Sequence, residues 1–181
     1  MRIAIDVDDV ACNFLAQCLS IMNKRHRTDY TVSQFNEFNI YNCIPKKDAD
    51  ILANIFNEQE VWDNMLPRTD AQATIKKMVS AGNDVFFVSA CHPSTHEWKT
   101  NWLERVYPFV PAKNHIYTEH KDLLLVDCII DDNVDWLRRS VATRIIMTRP
   151  WNIDEHTGFD VRVDSLTDAW NEICKFEKEK D

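Results

Sequence analysis

Apolar residues fall along this chain in short blocks, and their spacing switches between that of strands and that of helices. Ile3-Ala4-Ile5 predicts a buried strand over residues 2–6. Val10, Phe14, Cys18, Ile21 and Met22 then recur at helical spacing, which predicts a helix from Val10 to about His26. Residues 28–66 have another texture. Phe35, Phe38, Tyr41, Phe56 and Trp62 stand among Asn, Gln and Asp, and no convincing strand is present. Ile51, Leu52 and Ile55 predict a helix over residues 47–58. The expected organisation is a core of residues 1–15 and 67–181 interrupted by a small helical cap over residues 16–66.

Regular alternation resumes afterwards. Thr69-x-x-Gln72 predicts a capping box for a helix that ends at Gly82. Val85-Phe86-Phe87-Val88 predicts a buried strand over residues 84–89, ending in the hydroxyl of Ser89. Ser94-x-x-Glu97 predicts a second capping box and a helix carrying Trp98, Trp102, Leu103 and Val106 on one side, stopped by Pro108. Strands follow at residues 128–131 and 143–148, with a short helix near 134–139 between them and a further candidate strand at 161–163. Ser165 opens a last helix with Leu166, Ala169, Trp170 and Ile173 inward, and residues 175–181 are expected to fray. Strands alternating with helices predict an α/β fold: a Rossmann-like parallel sheet covered on both faces, with the helical cap inserted after the first strand–helix unit.

The chain has 181 residues, a net charge of -8 and a pI near 5.2. Such a protein repels polyanions at long range, so a stable nucleic-acid complex is not expected. No apolar run reaches the ~20 residues of a membrane span, so no membrane partner is expected. Asp6, Asp8 and Asp9 break the apolar start, which makes it a poor signal peptide. The six cysteines contain no C-x-x-C pair and read as reduced thiols of a cytoplasmic protein. With only Gly82 and Gly158 present, a glycine-rich phosphate loop is excluded.

Two acidic clusters change the picture. Asp6-Val7-Asp8-Asp9 and Asp131-Asp132 each follow an apolar strand block, at the sheet edge where open α/β folds bind ligands. Asp6 and Asp8 are two apart and can address one site. Solvated acids at strand ends are common, but Ser89 and Lys121 complete an ordered set: Asp-x-Asp, Ser, Lys, Asp-Asp. A carboxylate can attack phosphorus, and a second can protonate the leaving oxygen and then activate water. A hydroxyl and an ammonium can hold phosphoryl oxygens. Paired carboxylates suit Mg²⁺.

Ile3–Val10 resembles the first motif of the haloacid dehalogenase-like phosphohydrolases, Phe86-Phe87-Val88-Ser89 the second, Lys121 the third and Ile129-Ile130-Asp131-Asp132 the fourth. The nearest branch by resemblance is the cytosolic type C 5'(3')-deoxyribonucleotidases and their bacterial and phage relatives. The insertion, Leu66-Pro67, Lys99 with Trp102, and Pro150-Trp151-Asn152 support it. The resemblance implies Asp6 as nucleophile and Asp8 as general acid/base. It implies Ser89, Lys121 and Ala90 as phosphate contacts, with Asp6, Asp8, Asp131 and Asp132 around Mg²⁺. Phe14, Phe38, Trp62 and Lys99 are candidate substrate contacts, although Lys99 reads equally as a solvated helix lysine and the aromatics as the cap's own core. The implied substrate is a small nucleotide, a (deoxy)nucleoside monophosphate. Another small ester such as a sugar phosphate, or a 3'-phosphate end, stays open, as does a homodimer. A phospho-signalling receiver fits badly, because an acid pair follows Lys121. The chain departs from its relatives at Asp9, where they often carry Gly; this is expected to add charge near the metal and to alter the backbone. Roles for Cys91 and His92 are unassigned.

Overall fold

Residues 1–178 are described by a computed structural model. Its centre is β1 (Arg2–Asp6), whose residues are buried from Ile3 onward. The parallel strands β2 (Asp84–Ser89), β3 (His115–Tyr117), β4 (Cys128–Asp131), β5 (Thr143–Met147) and β6 (Val161–Val163) complete one sheet, ordered β3-β2-β1-β4-β5-β6. Register places Ile3 beside Val85 and Cys128, and Ile5 beside Phe87 and Ile130. The chain builds outward from β1 through β2 and β3, then returns to start β4 on the other side of β1. The crevice between the carboxyl ends of β1 and β4 is therefore the topological switch point, the place where such sheets bind ligands. Asp6 ends β1, Asp131 ends β4 and Ser89 ends β2.

Alternation along the strands splits the core. Ile3, Ile5, Val85, Phe87, Cys128, Ile130 and Ile145 face one side, packed with buried residues of α4 (Ala71–Ser80), α5 (His96–Val106) and α7 (Leu166–Lys178). Ala4, Val88, Ile129 and Ile146 face the other, where Leu137 of α6 (Val134–Arg139) covers them. Between β1 and α4 the chain makes α1 (Phe14–His26), α2 (Lys46–Ile55) and α3 (Gln59–Asp63), with no strand among them. α1 packs against both α2 and α3. The chain leaves and rejoins the sheet region side by side: Asn13 N–H donates to the Leu66 carbonyl at 3.2 Å, and Arg68 N–H to the Ala11 carbonyl at 3.1 Å.

Several local expectations are corrected. The first helix does not start at Val10: residues Val7–Ala11 form a wide turn in which Asp9 adopts φ 57°, ψ 6°, and α1 begins at Phe14. Neither internal capping box forms. Asp70, not Thr69, precedes α4, and Gln72 donates to the Val106 carbonyl at 2.8 Å instead. Ser94 bonds the His92 ring at 2.7 Å, so His92 caps a short turn at residues 93–95 that leads into α5. Gly82 ends α4 at φ 88°, and Ser165 Oγ accepts from Asp168 N–H at 3.0 Å at the start of α7, both as the sequence predicts. β3 and α3 are additions. The predicted fraying at 175–181 is not seen through Lys178, where α7 still runs; residues 179–181 lie outside the described residues.

Candidate active site

Lys121 stands at the switch point between the two acidic clusters. Its ammonium donates to Asp6 Oδ1 at 2.5 Å and Asp131 Oδ2 at 2.7 Å, and all three side chains are buried. Burial alone would favour the neutral amine, but Asp131 and then Asp6 outweigh it and raise the lysine's proton affinity. Asp131 is oriented by a second bond, accepting the Asn133 N–H at 2.9 Å. Asp132 accepts the Trp151 indole N–H at 2.8 Å, and Asn152 donates to its carbonyl at 2.8 Å.

Each of Asp6, Asp131 and Asp132 offers an oxygen within 4.8 Å of the others. Burial pushes the carboxyls of Asp6 and Asp132 upward, and the charge of their acidic neighbours adds to the push. Three buried carboxylates facing one ammonium carry an excess of negative charge. That donor set fits a hard cation such as Mg²⁺, which would relieve the repulsion and hold the acids ionised.

On the other side of Asp6 a second lysine meets Asp8. Lys99 Nζ donates to Asp8 Oδ2 at 2.7 Å and to Ser89 Oγ at 2.6 Å. Lys99 is 1% exposed, so the solvated helix lysine is excluded. The wide turn after β1 aims Asp8 here. Asp9 sustains the left-handed turn with two supports. Its carboxylate accepts the Leu15 N–H at 3.1 Å, capping α1, and its carbonyl accepts Arg149 Nε–H at 2.6 Å. Asp9 therefore does occupy the backbone region that glycine favours, while its carboxylate is held by the start of α1; burial raises it to about 7.

A cavity of about 300 Å³ opens over this constellation. Asp6, Asp8, Ala90, Lys121, Asp131 and Asp132 form its floor, and Phe14, Phe35, Phe38 and Phe56 its apolar side. Phe38 is 62% exposed, while Phe14 packs against Phe56 with tilted rings, their centroids 5.2 Å apart. Trp62 does not line this cavity. It is buried against Trp102 and Phe14 at 5.9 and 5.7 Å, and belongs to a smaller chamber of about 210 Å³ behind Asp8. Ser89 and Lys99 are likewise absent from the larger cavity's lining. Cys91 and His92 also line the smaller chamber. Trp136 and Asn133 are cavity residues that the sequence did not nominate, and Arg149 is a support with no sequence signal. Trp151 had one, in the Pro150-Trp151-Asn152 triplet.

The family described as 5' nucleotidase, deoxy (pyrimidine), cytosolic type C protein matches residues 1–178. A relative from Staphylococcus epidermidis is 26% identical over 179 residues, covering 98% of each chain. The 5'(3')-deoxyribonucleotidase of Clostridium acetobutylicum is 23% identical over 154 residues, covering 85% of each. Among solved structures, a HAD family hydrolase of Deinococcus radiodurans with bound phosphate and sodium shares the fold. Its TM-score is 0.62 at 13% identity, covering 96% of this chain and 95% of that one. A HAD hydrolase of Bacillus subtilis bound to magnesium gives a TM-score of 0.62 at 12% identity, covering 96% and 98%. No helix among the described residues is long and apolar enough to cross a membrane.

Proposed function

The chain belongs to the 5' nucleotidase, deoxy (pyrimidine), cytosolic type C family and is a phosphohydrolase of that kind; from this premise we propose that it removes phosphate from (deoxy)nucleoside monophosphates with the help of Mg²⁺. The observation that carries the reading is the Lys121 bridge between Asp6 and Asp131 on the floor of a cavity with an aromatic wall. An aromatic wall suits a nucleobase, since base–aromatic stacking contributes roughly 1–3 kcal/mol.

Asp6 attacks phosphorus and forms the new P–O bond of an aspartyl-phosphate, while the bond to the nucleoside oxygen breaks. Asp8 gives that oxygen its proton. Water then attacks phosphorus, Asp8 takes a proton from it, and the Asp6 carboxylate departs. Lys121 holds the phosphoryl oxygens and offsets the charge of Asp6 and Asp131, and Ser89 and the Ala90 backbone fix the same group. Asp6, Asp131 and Asp132, with the Asp8 backbone, would hold Mg²⁺, which supplies charge neutralisation as the phosphoryl group moves. Residues 16–66 serve as the cap on a core of 1–15 and 67–181. The paired crossings at Asn13–Leu66 and Ala11–Arg68 support that division.

The test is phosphate release with Mg²⁺ from a panel of nucleoside 5'- and 3'-monophosphates and small sugar phosphates. Turnover of deoxynucleotides, lost in Asp6→Asn, is the expected result. Turnover of sugar phosphates alone contradicts the substrate assignment.

A further inference from the structure

The two buried lysines of the site divide its work. Lys121 faces the large cavity and joins Asp6 to Asp131. Lys99, projecting from α5, is absent from that cavity's lining and reaches only the smaller chamber. An ammonium has three N–H donors and no acceptor. At Lys99 three partners surround it: Asp8 Oδ2 at 2.7 Å, Ser89 Oγ at 2.6 Å, and the face of Trp62 with its centroid 4.8 Å away. Two donors are bound to Asp8 and Ser89 and the ammonium sits over an aromatic face, away from the cavity floor where Lys121 waits for the phosphoryl oxygens. Ser89 Oγ lies 3.5 Å from Asp8 Oδ2, too long to commit its one O–H, which stays free for a phosphoryl oxygen while the hydroxyl oxygen braces Lys99. Ordering a lysine in so dry a place requires the carboxylate as its counter-charge.

We propose that Lys99 is a positioning residue for Asp8: its ammonium, seated on Trp62 and braced by Ser89, holds Oδ2 and so orients Oδ1, which has no other partner among the described residues, to carry the proton, and does not itself hold the substrate phosphate. The proposal rests on Asp8 acting as the general acid. It predicts dependence on the leaving group. A nucleoside oxygen needs a proton as it departs, whereas p-nitrophenolate departs without one. A phosphate contact, or a merely structural lysine, would affect both substrates alike.

The experiment measures kcat/KM with Mg²⁺ for deoxyuridine 5'-monophosphate and for p-nitrophenyl phosphate. The proteins are the parent, Lys99→Met, Lys99→Arg, Asp8→Asn and the Lys99→Met/Asp8→Asn double variant. The ratio of the two substrates is taken within each preparation, so a misfolded fraction cancels from it. Lys99→Met is expected to lose about 100-fold on the nucleotide and at most about threefold on the aryl ester, since general acid catalysis contributes 10²–10⁴-fold. Lys99→Arg, which keeps charge and donors, should recover part of the loss. In the double variant, removing Lys99 should add nothing to Asp8→Asn. Equal losses on both substrates in Lys99→Met, or additive losses in the double variant, overturn the proposal alone. A leaving-group effect missing from Asp8→Asn as well overturns the acid role of Asp8, and the proposal with it.

Discussion

Arg149 reaches back across 140 positions of sequence to donate from Nε and Nη2 to the carbonyl oxygen of Asp9. The contact matters because Asp9 is a non-glycine residue in the left-handed region, at φ 57°. Such a residue persists only where its surroundings over-determine it. Arg149 is buried and donates also to the Thr148 carbonyl, so one guanidinium pins the start of the post-β5 loop to the turn that aims Asp8.

Arg149→Met should therefore be destabilising by about 2–3 kcal/mol, the range for losing charged hydrogen bonds that leave a buried carbonyl unpaired. Urea unfolding reads this as a lower midpoint with unchanged slope. The kcat should fall as well, because the Asp8 carboxylate loses its backbone anchor. A midpoint equal to the parent's would mean that the turn holds without Arg149.

Asp9 makes two contributions of opposite sign, and substitutions separate them. Asp9→Asn keeps an oxygen for the Leu15 N–H and tolerates φ > 0 more readily, so stability should be unchanged or slightly raised. Asp9→Gly relieves the backbone but loses the cap, and should fall within about 1 kcal/mol of the parent. Asp9→Ala keeps the strain and loses the cap, at a cost of about 1–2 kcal/mol. The expected order in thermal unfolding is Asn, then Gly, then Ala; Ala above Gly would contradict it.

Metal removal should reveal the crowding of Asp6, Asp131 and Asp132. With a chelator present, Asp132→Asn is expected to unfold at higher temperature than the parent, because one buried like charge is gone while an oxygen for the Trp151 N–H stays. Mg²⁺ at 100 times its dissociation constant should stabilise the parent by about 2.7 kcal/mol and the variant far less. A variant that gains as much from Mg²⁺ as the parent would remove Asp132 from the metal site.

His115, on the edge strand β3 beside Phe87, is predicted to make stability pH-dependent. Burial lowers its proton affinity below the ordinary value. As pH falls through about 6.5, the unfolded chain takes up a proton that the folded chain refuses, so stability drops. Asp9, lifted to about 7, acts in the other direction: its contribution is lost as pH rises from about 4 toward 7. Comparing the parent with His115→Phe cancels the Asp9 contribution. The variant's advantage should widen between pH 7.5 and pH 5; a constant difference would contradict the burial argument.

The sheet was legible because β1, β2, β4 and β5 are continuous apolar blocks, the mark of strands buried on both faces. β3 was not, since His115-Ile116-Tyr117 is a three-residue edge strand with partly exposed side chains. The acids, Ser89 and Lys121 could be read from their order along those strands. Lys99 could not, because its burial is created by Trp62 of α3 and Asp8 of the turn, both distant in sequence. The turn at Asp9 was legible only in part: the position where relatives often carry Gly pointed to the backbone there, but its support comes from Arg149, distant in sequence. Which cavity Trp62 faces could not be read: it lines the smaller chamber and not the one over Asp6, a placement set by its packing on Trp102 that periodicity in so short a helix does not encode.

The most direct test is to look for the covalent intermediate. Protein mixed with Mg²⁺ and deoxyuridine 5'-monophosphate is acid-quenched within one turnover, digested and weighed by mass spectrometry. The account predicts a phosphoryl group on the peptide containing Asp6 in the parent, absent from Asp6→Asn. Phosphate release at the parent's rate with no phosphoryl group on that peptide, or release undiminished in Asp6→Asn, would contradict it.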